Sequence, residues 1–288
     1  MYPALVYLNG AFVPPEQAQV SAFDRGFVFG DGVYEVIPVY GRRLFRLSHH
    51  LARLDASLQG IRLANPHALT EWQKIFTRLV ESVPAEDQSV YLQVTRGAAP
   101  RDHAFPKDVK PTVFAYAAPL KYPEAAQLRD GVNAITVDDI RWRRCDIKAI
   151  ALLPNVLLRQ QAVEAGAAEA ILVRDGETTE GSASNIFAVV DGVLVTPPKG
   201  PFILPGITRD LVLELARANQ IPCAERALHL EEIFRATEFM LSSSTKELLP
   251  ITRVDGKTIG NGRPGPLHAR LHALYQDYKR DFRAGRVD

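Results

Sequence analysis

Apolar positions in the first third of the chain recur at every second residue or in short runs, which predicts β-strands. Asn9-Gly10 separates two such runs, and this dipeptide favours the type I′ turn of a two-residue hairpin. Gly41 separates a second pair. The strands predicted here are Leu5–Leu8, Ala11–Val13, Val33–Tyr40, Arg43–Arg46, Ser89–Thr95 and Thr112–Ala117.

Helical periodicity interrupts these strands twice. Ser48 is the expected N-cap of a helix that carries a leucine stripe and ends before Gly60. His49 and His50 begin this helix and are expected at its solvated end, and a second helix is predicted over Leu69–Val83. Strands mixed with two helices predict a small α+β domain over residues 1–117.

Residues 118–127 contain two prolines and no regular period, which predicts a linker. Beyond it, short strands and helices alternate irregularly, so we expect a larger C-terminal domain, residues 128–288, that carries Lys148. The chain as a whole is predicted to be of mixed α+β and α/β class. The elements predicted in the second domain are Ala134–Val137, Asn155–Ala165, Ala168–Arg174, Ser184–Val190, Val193–Thr196, Thr208–Ala218, Leu230–Arg235 and Leu267–Phe282.

Composition narrows the functional classes. The 288 residues carry a formal net charge of +1, which gives no electrostatic reason to expect nucleic acid or a membrane surface as a partner. Cys145 and Cys223 lie far apart, so we expect neither a disulfide framework nor a metal site. The first residues lack the basic and apolar regions of a signal peptide. These features predict a cytoplasmic protein.

Lys148 lies in the run RWRRCDIKAIALLPN, between Ile147 and Ala149. Burial disfavours the charged form of a lysine, and the neutral amine is the form that attacks an aldehyde to make a Schiff base. Taken alone, the run is more typical of an exposed lysine on a strand or loop.

A second polar block, ETTEGSASNIF, follows about thirty residues later. Glu180 follows a polar strand, and Gly181 lets the backbone turn and approach a ligand closely. A carboxylate that faces a pyridine nitrogen keeps that nitrogen protonated, so the ring withdraws electrons. By itself, TTEGS is only a turn with an exposed glutamate.

The block LPGITRD, residues 204–210, breaks the chain just before an apolar-periodic helix. The first N–H groups of a helix have no internal partner, and the helix dipole favours an anion there. An ordinary capped helix has the same pattern.

These blocks, in this order, resemble the fold-type-IV (class IV) pyridoxal-phosphate aminotransferases. The likeness begins at DRGFVFGDGVYEV and continues to SSSTKELLP, so it covers most of the chain. It implies a pyridoxal 5′-phosphate enzyme, a homodimer, and a pseudo-barrel-like larger domain. The resemblance assigns the Schiff base to Lys148, the pyridine nitrogen to Glu180 and the cofactor phosphate to Arg53, Ile207, Thr208 and Ser244. Arg53 lies off the leucine stripe, and periodicity alone predicts a solvated residue there.

The loop TRGAAPRDHAF resembles that of the D-amino-acid transaminases within this family. Arg101 and His103 are two residues apart, which puts both side chains on one face of an extended loop. A guanidinium beside an imidazole donor can bind a carboxylate. An exposed loop with accidental charges would look the same. The resemblance implies that these two residues and Tyr34 hold the substrate's α-carboxylate, with Arg141 supporting the site. Asp102 between them would weaken the receptor if it pointed inward.

The expected reaction is a ping-pong transamination of a D-amino acid, such as D-alanine or D-glutamate, with pyruvate or 2-oxoglutarate. Lys148 is expected to be the general base. A branched-chain L-aminotransferase, an aminodeoxychorismate lyase and an R-amine transaminase are alternatives in the same family. From another class, a non-catalytic regulatory protein would bind cofactor or partner only.

Overall fold

The computed structural model describes residues 3–288, which divide into two units. Unit 1 consists of the described residues up to Lys121, together with Ile147–Ala151 and Phe282–Asp288. Unit 2 consists of Tyr122–Asp146 and Leu152–Asp281. Lys148 therefore belongs to unit 1, whereas the sequence-based division puts it in the C-terminal domain.

Unit 1 is built on a six-stranded sheet in the order β2-β1-β6-β5-β3-β4. Asn9 and Gly10 have φ values of 49° and 97°, so the Asn-Gly hairpin turn is confirmed. The elements are β1 Val6–Leu8, β2 Ala11–Val13, α1 Arg25–Phe29, β3 Gly32–Tyr40, β4 Arg43–Leu44, α2 Leu47–Gly60, α3 Leu69–Glu81, β5 Gln88–Thr95 and β6 Thr112–Pro119.

The core of unit 1 lies where α2 and α3 cover this sheet. Burial alternates along β5 and β6, as expected of strands with one face toward a core. Leu54 and Leu58 of α2, and Trp72 and Phe76 of α3, are almost fully buried against the sheet. Helix α2 begins one residue before Ser48, and its N-cap is Arg46.

The segment Ile147–Ala151 lies along the beginning of β3. Tyr34 N–H donates to the Lys148 carbonyl at 2.9 Å, and Ile150 N–H donates to the Gly32 carbonyl at 3.0 Å. Val33 and Ala149 form an antiparallel bridge. These bonds fix the backbone on both sides of Lys148.

Unit 2 is built on a ten-stranded sheet in the order β12-β11-β10-β14-β15-β7-β8-β9-β13, with β16 paired to β15. All six residues of β10 are buried, which fits its place inside the sheet. The elements are α4 Ala125–Asp130, β7 Val132–Asp138, α5 Leu153–Glu164, β8 Glu169–Arg174, β9 Glu177–Gly181, β10 Asn185–Val190, β11 Val193–Thr196, α6 Ile207–Ala218, β12 Cys223–Glu225, β13 Leu228–His229, α7 Leu230–Arg235, β14 Glu238–Ser243, β15 Glu247–Val254, β16 Lys257–Thr258 and α8 Pro266–Arg283.

The mixed fold class predicted from the sequence is confirmed. The stretch predicted as a linker holds the end of β6 and the beginning of α4, which starts with a capping box between Glu124 and Gln127. Within residues 3–288, no helix is long and apolar enough to cross a membrane.

Candidate active site

Lys148 is held by its backbone, while its amine lies against an aromatic ring. Its N–H donates to Ser57 Oγ of α2 at 3.2 Å, and its carbonyl accepts from Tyr34 N. Its Nζ lies 4.1 Å from the centroid of the Tyr34 ring. The side chain is half-buried, and Ile147 next to it is buried. The structure therefore brings together two of the residues selected from the sequence.

Arg53 is buried, so the solvated position predicted from periodicity is wrong. Its Nε and Nη2 donate to the two oxygens of Glu35 on β3, at 2.7 and 2.8 Å. His50 Nδ1 lies 2.8 Å from Glu35 Oε2, and His50 is 1% exposed, so its predicted solvated position is wrong as well. Glu35 itself is fully buried. We call Glu35, His50 and Arg53 the Glu35 cluster.

The charges in the Glu35 cluster follow from burial and contact. Burial alone would raise the pKa of Glu35, but Arg53 and His50 lower it to about 2. Burial lowers the pKa of His50, and its hydrogen bond to Glu35 only partly opposes this. Glu35 is thus a carboxylate that orients Arg53 through two parallel bonds.

Arg101 and His103 converge on one ring. The Arg101 Cζ lies 5.2 Å from the centroid of Phe29, and the His103 ring centroid lies 5.4 Å from it. Asp102 Oδ1 accepts the N–H of Ala104 at 3.1 Å, so this carboxylate is engaged within its own loop. Arg101 and His103 are both exposed, and both contact the same residue of α1.

Glu180 lies in strand β9 and is 4% exposed, so the exposed turn that its local sequence suggests is absent. One of its oxygens accepts from Arg141 Nη1 in a short ion pair. The other accepts from Asn185 Nδ2 at 3.0 Å and from Leu204 N at 2.9 Å. The Leu204 contact places the start of the LPGITRD block beside Glu180.

Arg141 is held between two acids. Its Nε and Nη2 donate to Asp139 at 2.9 and 3.0 Å, and the Asp139 side chain is fully buried. Burial opposes the charged state of Arg141, but Asp139 and Glu180 raise its pKa. Burial raises the pKa of Glu180, and Arg141 restrains that rise. Asp139 was not predicted as a site residue from the sequence, although its position two residues before Arg141 could have indicated it.

Helix α6 begins at Ile207 without a side-chain cap on its first turn. Ile207 and Thr208 are both buried. A Cβ on the N-cap Gly206 would lie 2.0 Å from Asn185 Oδ1, so a larger residue would displace the Asn185 side chain, which donates to Glu180 and to the Leu204 carbonyl. The close approach therefore favours glycine at this position.

Ser242 pairs with Asn185 across the sheet. Its Oγ is buried and finds no hydrogen-bond partner among the residues that the structure describes. Ser244, selected from the sequence, lies in the turn between β14 and β15 and is partly exposed. The polar run SSST indicated a serine near the phosphate, but periodicity could not show which serine of the run is buried.

Comparisons with known proteins show the family to which the chain belongs. A family model described as amino-transferase class IV matches residues 32–254. The D-alanine aminotransferase of Bacillus licheniformis is 43% identical over 272 residues, which cover 94% of this chain and 96% of that protein. The D-alanine aminotransferase of Staphylococcus epidermidis is 42% identical over 274 residues, covering 95% of this chain and 97% of that protein.

Solved structures of aminotransferases have the same fold as this chain. The branched-chain amino acid aminotransferase of Escherichia coli superposes with a TM-score of 0.91 at 26% identity, covering 100% of this chain and 97% of that chain. A hypothetical aminotransferase from Mycobacterium tuberculosis, solved in its PLP-bound form, has a TM-score of 0.79 at 28% identity, covering 95% and 98%. This chain belongs to the class IV aminotransferase family.

Proposed function

We propose that the chain is a pyridoxal-phosphate-dependent transaminase that exchanges the amino group of a D-amino acid with a 2-oxo acid. The substrates proposed are D-alanine or D-glutamate with pyruvate or 2-oxoglutarate. The single observation that carries the proposal is the convergence of Arg101 and His103 on Phe29, because a guanidinium and an imidazole held side by side suit a carboxylate. The D-alanine aminotransferases that share 42–43% identity with the chain support the choice of D-enantiomer.

The residues present fit the cofactor. Ser242 Oγ is a buried hydroxyl without a partner among the described residues, and the uncapped start of α6 adds backbone N–H donors in the same unit. A buried polar group without a partner costs free energy, and a phosphate oxygen would remove that cost. We therefore propose that Ile207, Thr208 and Ser242 hold the phosphate. Arg53 and Ser244 remain proposed phosphate ligands from the resemblance.

When bound, pyridoxal phosphate supplies an electron-withdrawing ring that stabilises the negative charge left on the substrate's α-carbon after proton loss. Lys148 Nζ is proposed to take the α-proton and to return it to the cofactor side. The bonds to Ser57 and Tyr34 hold the lysine backbone still, so only the side chain needs to move. The Tyr34 ring packs against the amine and limits its position.

Glu180 is proposed to keep the ring nitrogen protonated. This role needs a negative charge in a buried place, and burial raises the pKa of Glu180. Arg141 counters that rise by direct contact, while Asp139 balances the charge of Arg141. Arg141 therefore supports the acid without needing to touch the substrate.

The preference for D-amino acids is proposed to follow from the position of the carboxylate. Lys148 can reach one face of a substrate, so the side on which the carboxylate is held decides which enantiomer presents its α-hydrogen to the amine. The test is half-reaction spectroscopy of the purified holoenzyme with paired D- and L-alanine, glutamate and leucine. Conversion of D-alanine or D-glutamate, but not of their L-enantiomers, supports the proposal, and exclusive use of L-leucine rejects it.

A branched-chain L-aminotransferase is kept as a second candidate because the solved Escherichia coli relative with a TM-score of 0.91 carries the branched-chain name. The same enantiomer panel decides between the two. Release of pyruvate without an acceptor oxo acid would instead identify an aminodeoxychorismate lyase.

We also propose that the enzyme is a homodimer. Helix α5 buries Leu158 and Ala162 but exposes Leu153, Val156 and Leu157 on its other side. An exposed apolar face of this kind is typical of a protein interface. Sedimentation analysis should give twice the chain mass, and a monomer at micromolar concentration would reject this part. A cytoplasmic location is likewise proposed, and recovery of the enzyme in a membrane or secreted fraction would contradict it.

A further inference from the structure

Residues 97–106 form the loop that carries Arg101 and His103, and we call it the receptor loop. We propose that Arg25 is the positioning residue of the receptor loop and that Phe29 is the surface on which the loop presents its two side chains. This inference rests on the proposed function, because it explains how the substrate carboxylate receptor keeps its shape.

Arg25 binds the receptor loop on both sides of His103. Its Nη1 donates to the Asp102 carbonyl at 2.5 Å and lies 3.4 Å from the Ala104 carbonyl. The arginine is 4% exposed, although residues 100–105 of the loop are exposed. A buried cation therefore holds the backbone of an exposed loop at the point where it presents the histidine.

The guanidinium of Arg25 is itself fixed by Asp31. Arg25 Nε donates to Asp31 Oδ2 at 2.8 Å. The Asp31 carboxylate also accepts hydrogen bonds from Nε and Nη2 of Arg96, at 2.8 and 3.0 Å. Arg96 Nη2 in turn donates to the Ile61 carbonyl at 2.7 Å. The orientation of Arg25 is thus set by a network that reaches the end of α2, outside the loop.

Backbone bonds attach the beginning of the same loop to the same segment. Arg25 N–H donates to the Gly97 carbonyl at 2.9 Å, and Ala99 N–H donates to the Phe23 carbonyl at 3.2 Å. The loop is therefore held against α1 near its beginning by backbone and at residues 102–104 by the Arg25 side chain.

Phe29 lies one helical turn after Arg25 and contacts three cationic or potentially cationic groups. The Cζ of Arg25 lies 4.7 Å from its ring centroid, that of Arg101 lies 5.2 Å away, and the His103 ring lies 5.4 Å away. The face of an aromatic ring attracts a guanidinium. One ring can therefore hold Arg101 and His103 side by side before the substrate arrives, which lowers the entropy lost on binding.

Asp31 also accounts for how like charges coexist here. Arg25 and Arg101 both lie against Phe29, and two cations close together repel. The carboxylate of Asp31, which Arg25 shares with Arg96, offsets part of this positive charge and so reduces the repulsion between Arg25 and Arg101.

The test compares the holoenzyme with Arg25→Met, Arg25→Lys and Phe29→Leu variants. For Arg25→Met we expect the KM for D-alanine to rise about tenfold while kcat changes by less than roughly twofold. This pattern is expected when the lost binding is equally strong in the ground state and the transition state. Hydrogen exchange of residues 98–106, measured by mass spectrometry, should become faster. Arg25→Lys should restore part of both effects, because an ammonium can bind Asp31 or a loop carbonyl but not hold the full fork.

Phe29→Leu keeps an apolar residue and leaves Arg25 in place. It should raise KM with little change in the exchange of the loop backbone, and it keeps the test available if Arg25→Met does not fold. Arg42→Met is the matched control, because Arg42 also donates to backbone carbonyls in unit 1, those of Val83, Val80 and Glu81 at 3.0, 3.2 and 3.5 Å. It should lower stability without changing KM.

Unchanged loop exchange and unchanged KM in Arg25→Met would overturn the inference, as would an equal rise in KM in Arg42→Met. An Arg101→Leu variant separates this result from failure of the proposed function. If Arg101→Leu raises KM and Arg25→Met does not, only the positioning role fails. If Arg101→Leu leaves KM unchanged, the receptor itself is assigned wrongly, and the inference falls with it.

Discussion

Arg141 and Glu180 form a buried ion pair in unit 2, with side chains 5% and 6% exposed. A charge removed from water in this way depends on its partner, so the pair makes Glu180 sensitive to every change at Arg141. Asn185 and the Leu204 backbone also bind Glu180, but both are neutral donors. The charge of the proposed ring partner is therefore set largely by one guanidinium.

We predict that Arg141→Met lowers the free energy of unfolding by about 3–5 kcal/mol, because it leaves a buried charge without its partner. It should also lower kcat, since the pKa of Glu180 is already raised by burial and would rise further. Denaturant unfolding and steady-state kinetics measure the two effects. The control is Arg144→Met, because the Arg144–Asp146 pair is exposed and its loss should change the stability little. Equal effects in both variants would contradict the prediction.

Replacing Lys148 by alanine should abolish transamination. General-base catalysis by a positioned side chain contributes about 10²- to 10⁴-fold, so we expect kcat to fall by at least that factor. The absorbance of the bound cofactor should change as well, because the covalent partner is removed. Lys74→Ala, at a lysine with a 77% exposed side chain, is the control. Normal turnover and an unaltered spectrum in Lys148→Ala would reject the assignment.

Ser242→Ala should separate cofactor binding from stability. Its buried hydroxyl has no partner among residues 3–288, so its removal should leave the stability of the cofactor-free protein unchanged or raise it by about 1–3 kcal/mol. The cofactor should dissociate faster, about tenfold. Thr196→Val is the control. It should lower the stability of the protein and leave cofactor release unchanged, because Thr196 Oγ1 donates to the Ile186 carbonyl at 2.7 Å. Slower or unchanged cofactor release in Ser242→Ala would remove Ser242 from the phosphate site.

His268 should make the protein less stable in mild acid. Burial lowers its pKa to about 4, although its bond to the Leu248 carbonyl opposes this. The pKa of a histidine in the unfolded chain is about 6.5. The contribution of His268 to the free energy of unfolding is therefore fully present above pH ~6.5 and is lost as the pH falls toward the pKa of the folded state. His50 and His272, whose pKa values are also lowered by burial, act in the same direction.

His268→Gln should therefore flatten the dependence of the unfolding free energy on pH between these two values. Denaturant titrations at a series of pH values measure the slope. His49→Gln, at an exposed histidine, is the control. A wild-type slope in His268→Gln would show that another group causes the acid loss.

The sequence predicted local elements well where pattern and turn chemistry agree. Strand Val193–Thr196 and helix Leu230–Arg235 have the predicted bounds, and the Asp191-Gly192 turn marks the beginning of the strand. Helix α1 was missed, since five residues are too few for a helical period to be visible. Strands β14 and β15 were also missed, and β15 contains Pro250, a residue that argues against a strand interior.

The candidate site was predicted mainly through the resemblance. Arg53 and His50 appear solvated from periodicity because their partner, Glu35, lies on a strand and is distant in sequence. Glu180 appears exposed for the same reason, since Arg141 lies 39 residues away. Pairing of distant charges decides burial at these positions, and local pattern carries no information about it.

The five-residue segment that carries Lys148 has a consequence for dissecting the protein. Because Ile147–Ala151 is grouped with unit 1 while the chain on either side belongs to unit 2, neither a fragment ending at Lys121 nor one beginning at Tyr122 retains the amine in its native surroundings. The first lacks the lysine, and the second lacks the β3 strand that anchors it. Truncation cannot yield a half-protein with a native nucleophile, and separately expressed halves recover function only if they restore the contacts of that short segment with β3.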